Sequence, residues 1–280
     1  MEVVRHLQRA RATVEDTAVG QLVVVAFFFA MRSCEYSDVE AQRRTTVVQV
    51  RDVTFWKGSE RVGLDRADEI RNADAVSITF RKQKNRDDGT TITQHRNLNL
   101  DNDELCPVRA LGELVGRIRQ YGETTNVKWK EATINAFPRE DGTGLTGITS
   151  KTVLQKLRQA VAEIGGSRLG YDADRVGTHS IRSGAAMAMF LAGVPVETIQ
   201  LIGRWRSRSF MRYLRIQVPD ITKNVASKMT LRESFFTITT DETSGRQTEI
   251  GGNQVDARQQ QSQIPDEGNS RSPQRRNNHY

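Results

Sequence analysis

The feature that most constrains the fold is the strongest apolar run of the chain, QLVVVAFFFAM, which covers residues 21–31 and stops at Arg32. The run is far shorter than the roughly 20 residues that a membrane-spanning helix needs. It therefore predicts a helix buried on every side, within a segment from Thr13 to Tyr36 that begins polar and becomes apolar. A chain with such a helix must build a globular core around it.

Strand signals follow this helix. The segments 45–56, 75–84 and 90–100 are rich in β-branched residues and alternate in part between apolar and polar positions. The last two segments flank NRDDG, which is a turn signal, so they predict a β-hairpin. These segments indicate one small antiparallel sheet near the amino-terminal third of the chain.

Helix signals return in the second half of the chain. Pro107 suits the first turn of a helix that runs to Arg119, and Ser150 can cap a second helix over residues 151–164. Beyond residue 177 the pattern stays helical to about residue 236. The sequence thus predicts a mostly helical α+β domain with a small antiparallel sheet.

The end of the chain has a different composition. From about residue 237 it turns polar, which predicts a disordered tail over residues 237–280 and a folded domain over residues 1–236. From residue 239 onward the tail holds five Arg against six Asp plus Glu, whereas the whole chain has a formal net charge of +7. The body therefore carries +8, which favours a polyanionic partner such as nucleic acid.

Several classes of protein do not fit the sequence. The two cysteines, Cys34 and Cys106, are too few for a disulfide framework and lack metal-ligand spacing. Acidic residues interrupt the region before the apolar run, and no small-residue cleavage site follows it, so no secretory signal is predicted. We therefore expect an intracellular protein without a membrane span or a zinc site. A hydrolase of small phosphoesters would need a phosphate loop or an activated cysteine, and the sequence shows neither.

The residues suited to chemistry cluster between Thr178 and Arg215. His179 and Arg182 stand three apart, so a helix that begins near Thr178 puts both side chains on one face, where they can reach one anion. Arginine offers a planar fork of donors that fits phosphate oxygens, and it keeps its charge at any ordinary pH. Tyr213 follows on a basic segment, where a phenolate would find compensating charge, so it is a candidate nucleophile.

An ordered set of motifs extends this cluster upstream. It consists of MRSCEYS with Arg32 and Glu35, a lysine at the predicted hairpin, THSIRSG with His179 and Arg182, GRW with Trp205, and MRYLR with Tyr213. In order and spacing the set resembles the catalytic domain of the tyrosine recombinase, or phage integrase, family over about residues 13–236. The stretch GRWRSRSFMRYLR is similar to recombinases of Crypton-type mobile elements of eukaryotes. The resemblance implies a tyrosine-recombinase-like fold.

The resemblance also implies a reaction that breaks and rejoins DNA. Tyr213 would attack a phosphodiester of double-stranded DNA, expel the 5′ hydroxyl and form a 3′-phosphotyrosyl link that keeps the free energy of the bond. Arg32 and Arg182 would hold the two non-bridging oxygens and stabilise the extra charge of the transition state. Such a reaction needs no ATP, metal or small-molecule cofactor.

Supporting roles follow from the same resemblance. Lys84 at the hairpin would protonate the leaving oxygen, and Lys82 is the alternative for this role. His179 would move the tyrosine proton, and Trp205 would donate a hydrogen bond to the phosphate. Glu35 would orient Arg32 and His179. The basic residues expected to contact DNA are Arg81, Lys82, Arg86, Arg204, Arg206, Arg208 and Arg212.

The chain departs from the family pattern ahead of Arg32. One helix-sized segment precedes this arginine, where family members usually carry a separate helical DNA-clamping domain, so we expect that domain to be absent. The interval from Trp205 to Tyr213 is one residue shorter than in the commonest members. In the family a terminal helix often docks on a neighbouring protomer, which implies a homo-oligomer on DNA, in the nucleus if the host is eukaryotic.

Other functions stay open at this point. The segments 185–193 and 196–204 can form a helix-turn-helix unit that binds DNA in the major groove without catalysis. A degenerate recombinase that binds DNA but no longer cleaves it would share the same charge pattern. Topoisomerase-like relaxation uses the same tyrosine chemistry, and the sequence does not separate it from recombination.

Overall fold

The computed structural model describes residues 1–10, 12–40, 45–83, 88–98, 104–207 and 210–211. These residues form helices and two antiparallel sheets, so the predicted α+β class is confirmed. The helices are α1 (Glu2–Arg9), α2 (Val14–Phe28), α3 (Ser33–Tyr36), α4 (Ala67–Arg71), α5 (Pro107–Thr125), α6 (Ser150–Ile164), α7 (Gly166–Leu169), α8 (Ser180–Leu191) and α9 (Val196–Gly203). The strands are β1 (Val53–Lys57), β2 (Glu60–Val62), β3 (Ala75–Phe80), β4 (Thr90–His95), β5 (Ala136–Pro138) and β6 (Leu145–Gly147).

Helix α2 is the predicted apolar helix, and it lies at the centre of the core. Thr13 caps its start, because the threonine hydroxyl accepts a hydrogen bond from the backbone N–H of Asp16 at 3.0 Å. Every residue from Ala18 to Phe27 is buried, because α1, α5 and α8 pack around this helix. Each large apolar side chain buried in this way contributes about 1.5–3 kcal/mol to folding, so α2 anchors the fold.

The end of α2 differs from the prediction, which continued the helix to Tyr36. The helix stops at Phe28, and Ala30 adopts a left-handed backbone with φ of 45°. The N–H of Met31 then bonds to the carbonyl of Ala26 at 2.8 Å. This is a Schellman turn, a helix ending that usually carries glycine at the left-handed position. Alanine stands there instead, so no glycine marks the end of the helix in the sequence.

The larger sheet has the strand order β2-β1-β3-β4, and its neighbouring strands are antiparallel. The predicted hairpin is confirmed, since β3 pairs with β4 and places Ile78 opposite Ile92. The strand predicted over residues 45–56 is wrong in its first part, where a 3₁₀ turn at Val50–Asp52 precedes β1. The two-stranded sheet of β5 and β6 was not predicted, because three-residue strands are too short to show alternation.

Helices α5 and α6 are the two helices predicted for the second half of the chain. Helix α5 begins at Pro107, as predicted, and continues to Thr125. The cap of α6 is Thr149 rather than Ser150, because the Thr149 hydroxyl accepts a hydrogen bond from the backbone N–H of Thr152 at 3.1 Å. Ser150 is the first helical residue. The prediction was therefore wrong by one position.

Helix α1 was not predicted, and with it two helices rather than one precede Arg32. It packs against α2 and α6 and buries Val4 and Leu7. Arg9 also forms an ion pair with Glu104 ahead of α5, at 2.8 Å. A helix of eight residues with one narrow apolar stripe is too short to stand out in the sequence.

Helices α8 and α9 confirm the helical pattern beyond residue 177 as far as the structure describes it. Gly193, with φ of 75°, turns the chain between them, and the two helices pack on each other. The predicted helical continuation to residue 236 and the predicted disordered tail lie outside the described residues. No helix in the described part of the chain combines the length and apolar character needed to cross a bilayer.

Candidate functional site

The turn that ends α2 supplies the frame of the candidate site. Because the helix stops at Phe28, the carbonyl groups of Phe29 and Ala30 are free to accept hydrogen bonds from elsewhere. Nη1 of Arg204 donates to the Phe29 carbonyl at 3.0 Å, and Nη1 of Arg182 donates to the Ala30 carbonyl. Two arginines from the carboxyl-terminal half of the domain therefore meet the end of the central helix.

Arg182 lies on the first turns of α8 and is only 4% exposed. Its Nη2 donates to the carbonyl of Gly203, at the end of α9. The ring of Trp205 covers the guanidinium group, with 4.2 Å between the Cζ atom and the ring centroid. In this structure Arg182, which was predicted to bind phosphate, donates to two backbone carbonyls and is covered by an aromatic ring.

Glu35 lies at the centre of the cluster and is fully buried. Its Oε1 accepts from Nη1 of Arg32 at 2.7 Å, and its Oε2 accepts from the backbone N–H of Arg32 at 2.8 Å. Oε2 also accepts from Nη2 of Arg204 at 2.7 Å. The predicted role of Glu35 in orienting Arg32 matches this geometry.

The charges around Glu35 keep it ionised. Burial alone would raise the pKa of Glu35, but the positive charges of Arg204, Arg32 and Arg182 outweigh burial and lower the pKa. One carboxylate thus faces three guanidinium groups. These four side chains carry an excess of positive charge, which suits an anion with several oxygens, such as a phosphodiester.

The indole ring of Trp205 is closely packed against Gly203. A Cβ atom built on Gly203 would overlap the indole ring, so the ring fits only because residue 203 has no side chain. The indole also lies 5.4 Å from the buried ring of Phe210, centroid to centroid. Trp205 is therefore fixed over Arg182 by its packing on both sides.

Two predicted residues lie closer to solvent. His179 is exposed at the position that precedes α8, one helical turn before Arg182. The side chain of Arg32 is 15% exposed. His179 and part of the Arg32 side chain are therefore accessible to solvent, whereas the ring of Trp205 covers the guanidinium group of Arg182.

One part of the predicted role of Glu35 is wrong. Among the described residues the carboxylate accepts hydrogen bonds from Arg32 and Arg204, and none from His179. The physical reason is burial: Glu35 is fully buried, whereas His179 is exposed at the position that precedes α8.

The predicted DNA contact through Arg204 is also corrected. Arg204 is buried, with a side-chain exposure of 1%, because its guanidinium group pairs with Glu35 and stacks on the ring of Phe80 at 3.6 Å. Arg81 forms an ion pair with Asp52 while remaining half exposed, and Lys82 and Arg206 are exposed. The remaining predicted positions lie outside the described residues; they are Lys84, Arg86, Arg208, Arg212 and Tyr213.

Other potential nucleophiles near the cluster are poorly suited to reaction. Burial raises the pKa of the Cys34 thiol, and the neighbouring Glu35 charge raises it further, so the reactive thiolate is disfavoured. Burial likewise raises the pKa of Tyr36, whose side chain packs in the core.

Gly203 and Phe210 were not predicted as site residues, and Arg204 was predicted in a different role, as a DNA contact; these three residues hold the cluster together. Gly203 seats Trp205, Phe210 supports it, and Arg204 binds Glu35. All three lie in the segment GRWRSRSF, but its basic residues indicated an exposed surface rather than a buried ion pair between Arg204 and Glu35. Within the described residues no three His, Cys, Asp or Glu side chains group as ligands for a metal ion.

Compared with known proteins, the chain matches no family model, and no curated protein is similar to it in sequence. The likeness to tyrosine recombinases therefore depends on the residues described above and their arrangement.

Proposed function

We propose that this protein is a DNA breaking and joining enzyme of the tyrosine recombinase type, which acts through a 3′-phosphotyrosyl intermediate on Tyr213. Its partner is double-stranded DNA, on which it acts as a homo-oligomer in the integration or excision of a mobile element. In a eukaryotic host it would act in the nucleus. The proposed reaction uses no cofactor and no metal.

One observation carries the proposal. Arg32 with Glu35, and Arg182 with Trp205, are separated by about half of the chain, yet they meet at the end of α2. The recombinase resemblance requires this meeting, because the two arginines must act on one phosphate. A core built from apolar packing alone would not bring three guanidinium groups to one carboxylate, since each buried charge costs several kcal/mol.

The chemistry assigned to each group follows from its position. Of the three arginines, Arg32 is the most exposed and would bind the phosphate first, while Glu35 fixes its orientation. Arg182 would exchange its two carbonyl partners for phosphate oxygens, which are stronger acceptors because they are charged. This exchange requires Trp205 to move from above the guanidinium group, and the released indole N–H can then donate to the phosphate.

The helix-turn-helix alternative fits the geometry less well. A recognition helix reads DNA through basic and polar side chains on its exposed face. Helix α9 has no basic residue, it carries Glu197 in its first turn, and its exposed face includes Leu201. Arg204, which the alternative would place in the major groove, is buried against Glu35.

The experiment is a covalent trapping assay with the full chain. A pool of nicked duplexes with randomised sequence supplies the unknown target, and the nick lets the short cleaved fragment diffuse away so that the reaction stops at the intermediate. We expect a protein–DNA adduct on a denaturing gel, and peptide mass mapping that places the DNA on Tyr213. The adduct is absent from Tyr213→Phe.

Matched variants separate chemistry from binding. Arg182→Ala should lower the cleavage rate by about 10²–10³-fold with a much smaller change in the Kd for DNA. Arg96→Met is the control, because Arg96 is also an arginine held by backbone carbonyls, those of Ala73 and Arg71, but at the opposite end of β3. DNA binding without an adduct at Tyr213 would contradict the proposal and favour a non-catalytic DNA-binding protein.

A further inference from the structure

We infer that Arg204 is a positioning residue, which holds Glu35, and through it Arg32, in the geometry required for phosphate binding. This inference depends on the proposed function. The side chain of Arg204 is buried and paired with Glu35, so it would act through its neighbours.

The contacts of Arg204 reach four parts of the fold. Nη2 pairs with Glu35 of α3, and Nη1 donates to the carbonyl of Phe29 at the end of α2. Nη1 also donates to the carbonyl of Ile202 in α9, at 3.0 Å. The guanidinium plane lies against Phe80 at the end of β3. One side chain thus joins the central helix, the helix of Arg32 and Glu35, the hairpin and the end of α9.

The side chain of Glu35 depends on this junction for one of its two cationic partners. Arg32 is the residue that precedes α3, and Glu35 lies three positions later within it, so their pairing alone sets the position of both relative to α3 only. The bond from Arg204 fixes the carboxylate relative to α9. Because Trp205 and Gly203 flank Arg204 in the chain, the same residue also sets the position of the ring that covers Arg182.

Stability alone does not explain why an arginine stands at this position. Its Nε atom is buried and has no hydrogen-bond partner among the described residues, and an unsatisfied buried donor costs about 1–3 kcal/mol. The backbone of Arg204 is also left-handed, with φ of 54°, which is strained for a residue with a Cβ atom. A residue retained at such cost, beside the site, is typical of a functional constraint.

Arginine is required because its donors are rigidly spaced. The two Nη atoms must reach the Phe29 carbonyl and the Glu35 carboxylate at the same time. A lysine has one ammonium group on a flexible stem and cannot reproduce this fork. Arg204→Lys should therefore keep the charge and lose the geometry, while Arg204→Met loses both and keeps the apolar stem.

The test measures folding, DNA binding and cleavage of Arg204→Met and Arg204→Lys in the full chain, with Arg96→Met as the matched control. We expect Arg204→Met to cleave about 10²-fold more slowly in a single turnover, as for a catalytic group displaced by about 1 Å. Its Kd for DNA should stay within about threefold of wild type, which marks a loss confined to the transition state. Arg204→Lys should fall between wild type and Arg204→Met, and Arg96→Met should cleave like wild type.

The pH profile of cleavage supplies a measurement that a merely structural role would not change. Glu35 faces Arg32 on its own helix, Arg182 of α8 and Arg204, with the Cys34 thiol beside it. Removing Arg204 removes the largest charge that lowers the pKa of Glu35, so this pKa rises. Protonated Glu35 no longer pairs with Arg32, and the acid limb of the cleavage profile should move to higher pH in Arg204→Met.

The outcomes separate this inference from the proposed function. A wild-type chain that forms no adduct would overturn both proposals. A wild-type adduct together with normal cleavage and an unmoved acid limb in folded Arg204→Met would overturn only the role of Arg204. If Arg204→Met fails to fold, the cleavage rate and the pH profile of Arg204→Lys are compared with those of wild type instead. Cleavage by Arg204→Lys at the wild-type rate would overturn the role of Arg204.

Discussion

Glu35 is the residue on which the candidate site depends most. It is buried with Arg32 and Arg204 as partners, so its neutralisation leaves two guanidinium groups without a counter-charge. We predict that Glu35→Gln lowers the free energy of unfolding by about 3–5 kcal/mol, measured by urea denaturation at neutral pH. The control is Glu163→Gln, which removes an exposed partner of His6 and should leave stability nearly unchanged. Equal stability of the two variants would contradict the buried cluster.

The same carboxylate predicts how stability changes with pH. The pKa of Glu35 is lower in the folded protein than its ordinary value of 4.5. The unfolded state therefore binds the proton more readily, so this contribution is complete above that value and is lost as pH falls through the folded pKa. Wild type should lose more stability than Glu35→Gln between neutral pH and the region below 4.5. Parallel stability curves for the two proteins would show that Glu35 is not ionised in the fold.

Gly203 offers a second test at the level of one residue. A methyl group there would overlap the Trp205 ring, so Gly203→Ala must displace the indole from Arg182. We predict a loss of about 1–3 kcal/mol in stability and a red shift in the fluorescence of Trp205, read in a background with Trp56→Phe and Trp129→Phe. The control is Gly116→Ala on α5, where a Cβ atom meets nothing and a gain of about 0.5–1 kcal/mol is expected. An unshifted Trp205 spectrum in Gly203→Ala would contradict the close packing of Trp205 against Gly203.

At the level of elements, the long periodic segments were predictable and their ends were not. Helix α2, helix α5 and the hairpin of β3 and β4 follow from hydrophobic pattern and turn residues. The stop of α2 at Phe28 was missed because Ala30 takes the left-handed position without a glycine. That stop matters most for the site, since it frees the carbonyls that Arg182 and Arg204 bind.

The cap of α6 gives a prediction at this scale. The hydroxyl of Thr149, not that of Ser150, accepts the hydrogen bond from the N–H of Thr152. Thr149→Ala should therefore lower the free energy of unfolding by about 1 kcal/mol. Ser150→Ala should leave stability nearly unchanged, because alanine is the best residue inside a helix. A larger loss for Ser150→Ala than for Thr149→Ala in thermal unfolding would restore the cap predicted from sequence.

At the level of the whole molecule, the basic residues predicted for the site fall into a buried group and an exposed group. Arg182 and Arg204 are buried within the fold, whereas Lys82 and Arg206 are exposed on its surface. The residue types of the site could be predicted from the sequence, but which of the basic residues are buried and which are exposed could not. Burial of a given arginine depends on a partner far along the chain, such as Glu35 for Arg204, and no local pattern encodes that contact.

In the proposed reaction Arg32 and Arg182 act on one phosphate. The measurement that tests it most directly is a crystal structure of Tyr213→Phe bound to a duplex that the wild-type chain cleaves. We predict one phosphate within hydrogen-bonding distance of both guanidinium groups, with Trp205 moved from above Arg182. The result that would contradict the account is a bound duplex with no phosphate near Arg182, whose hydrogen bonds still go to the carbonyls of Ala30 and Gly203.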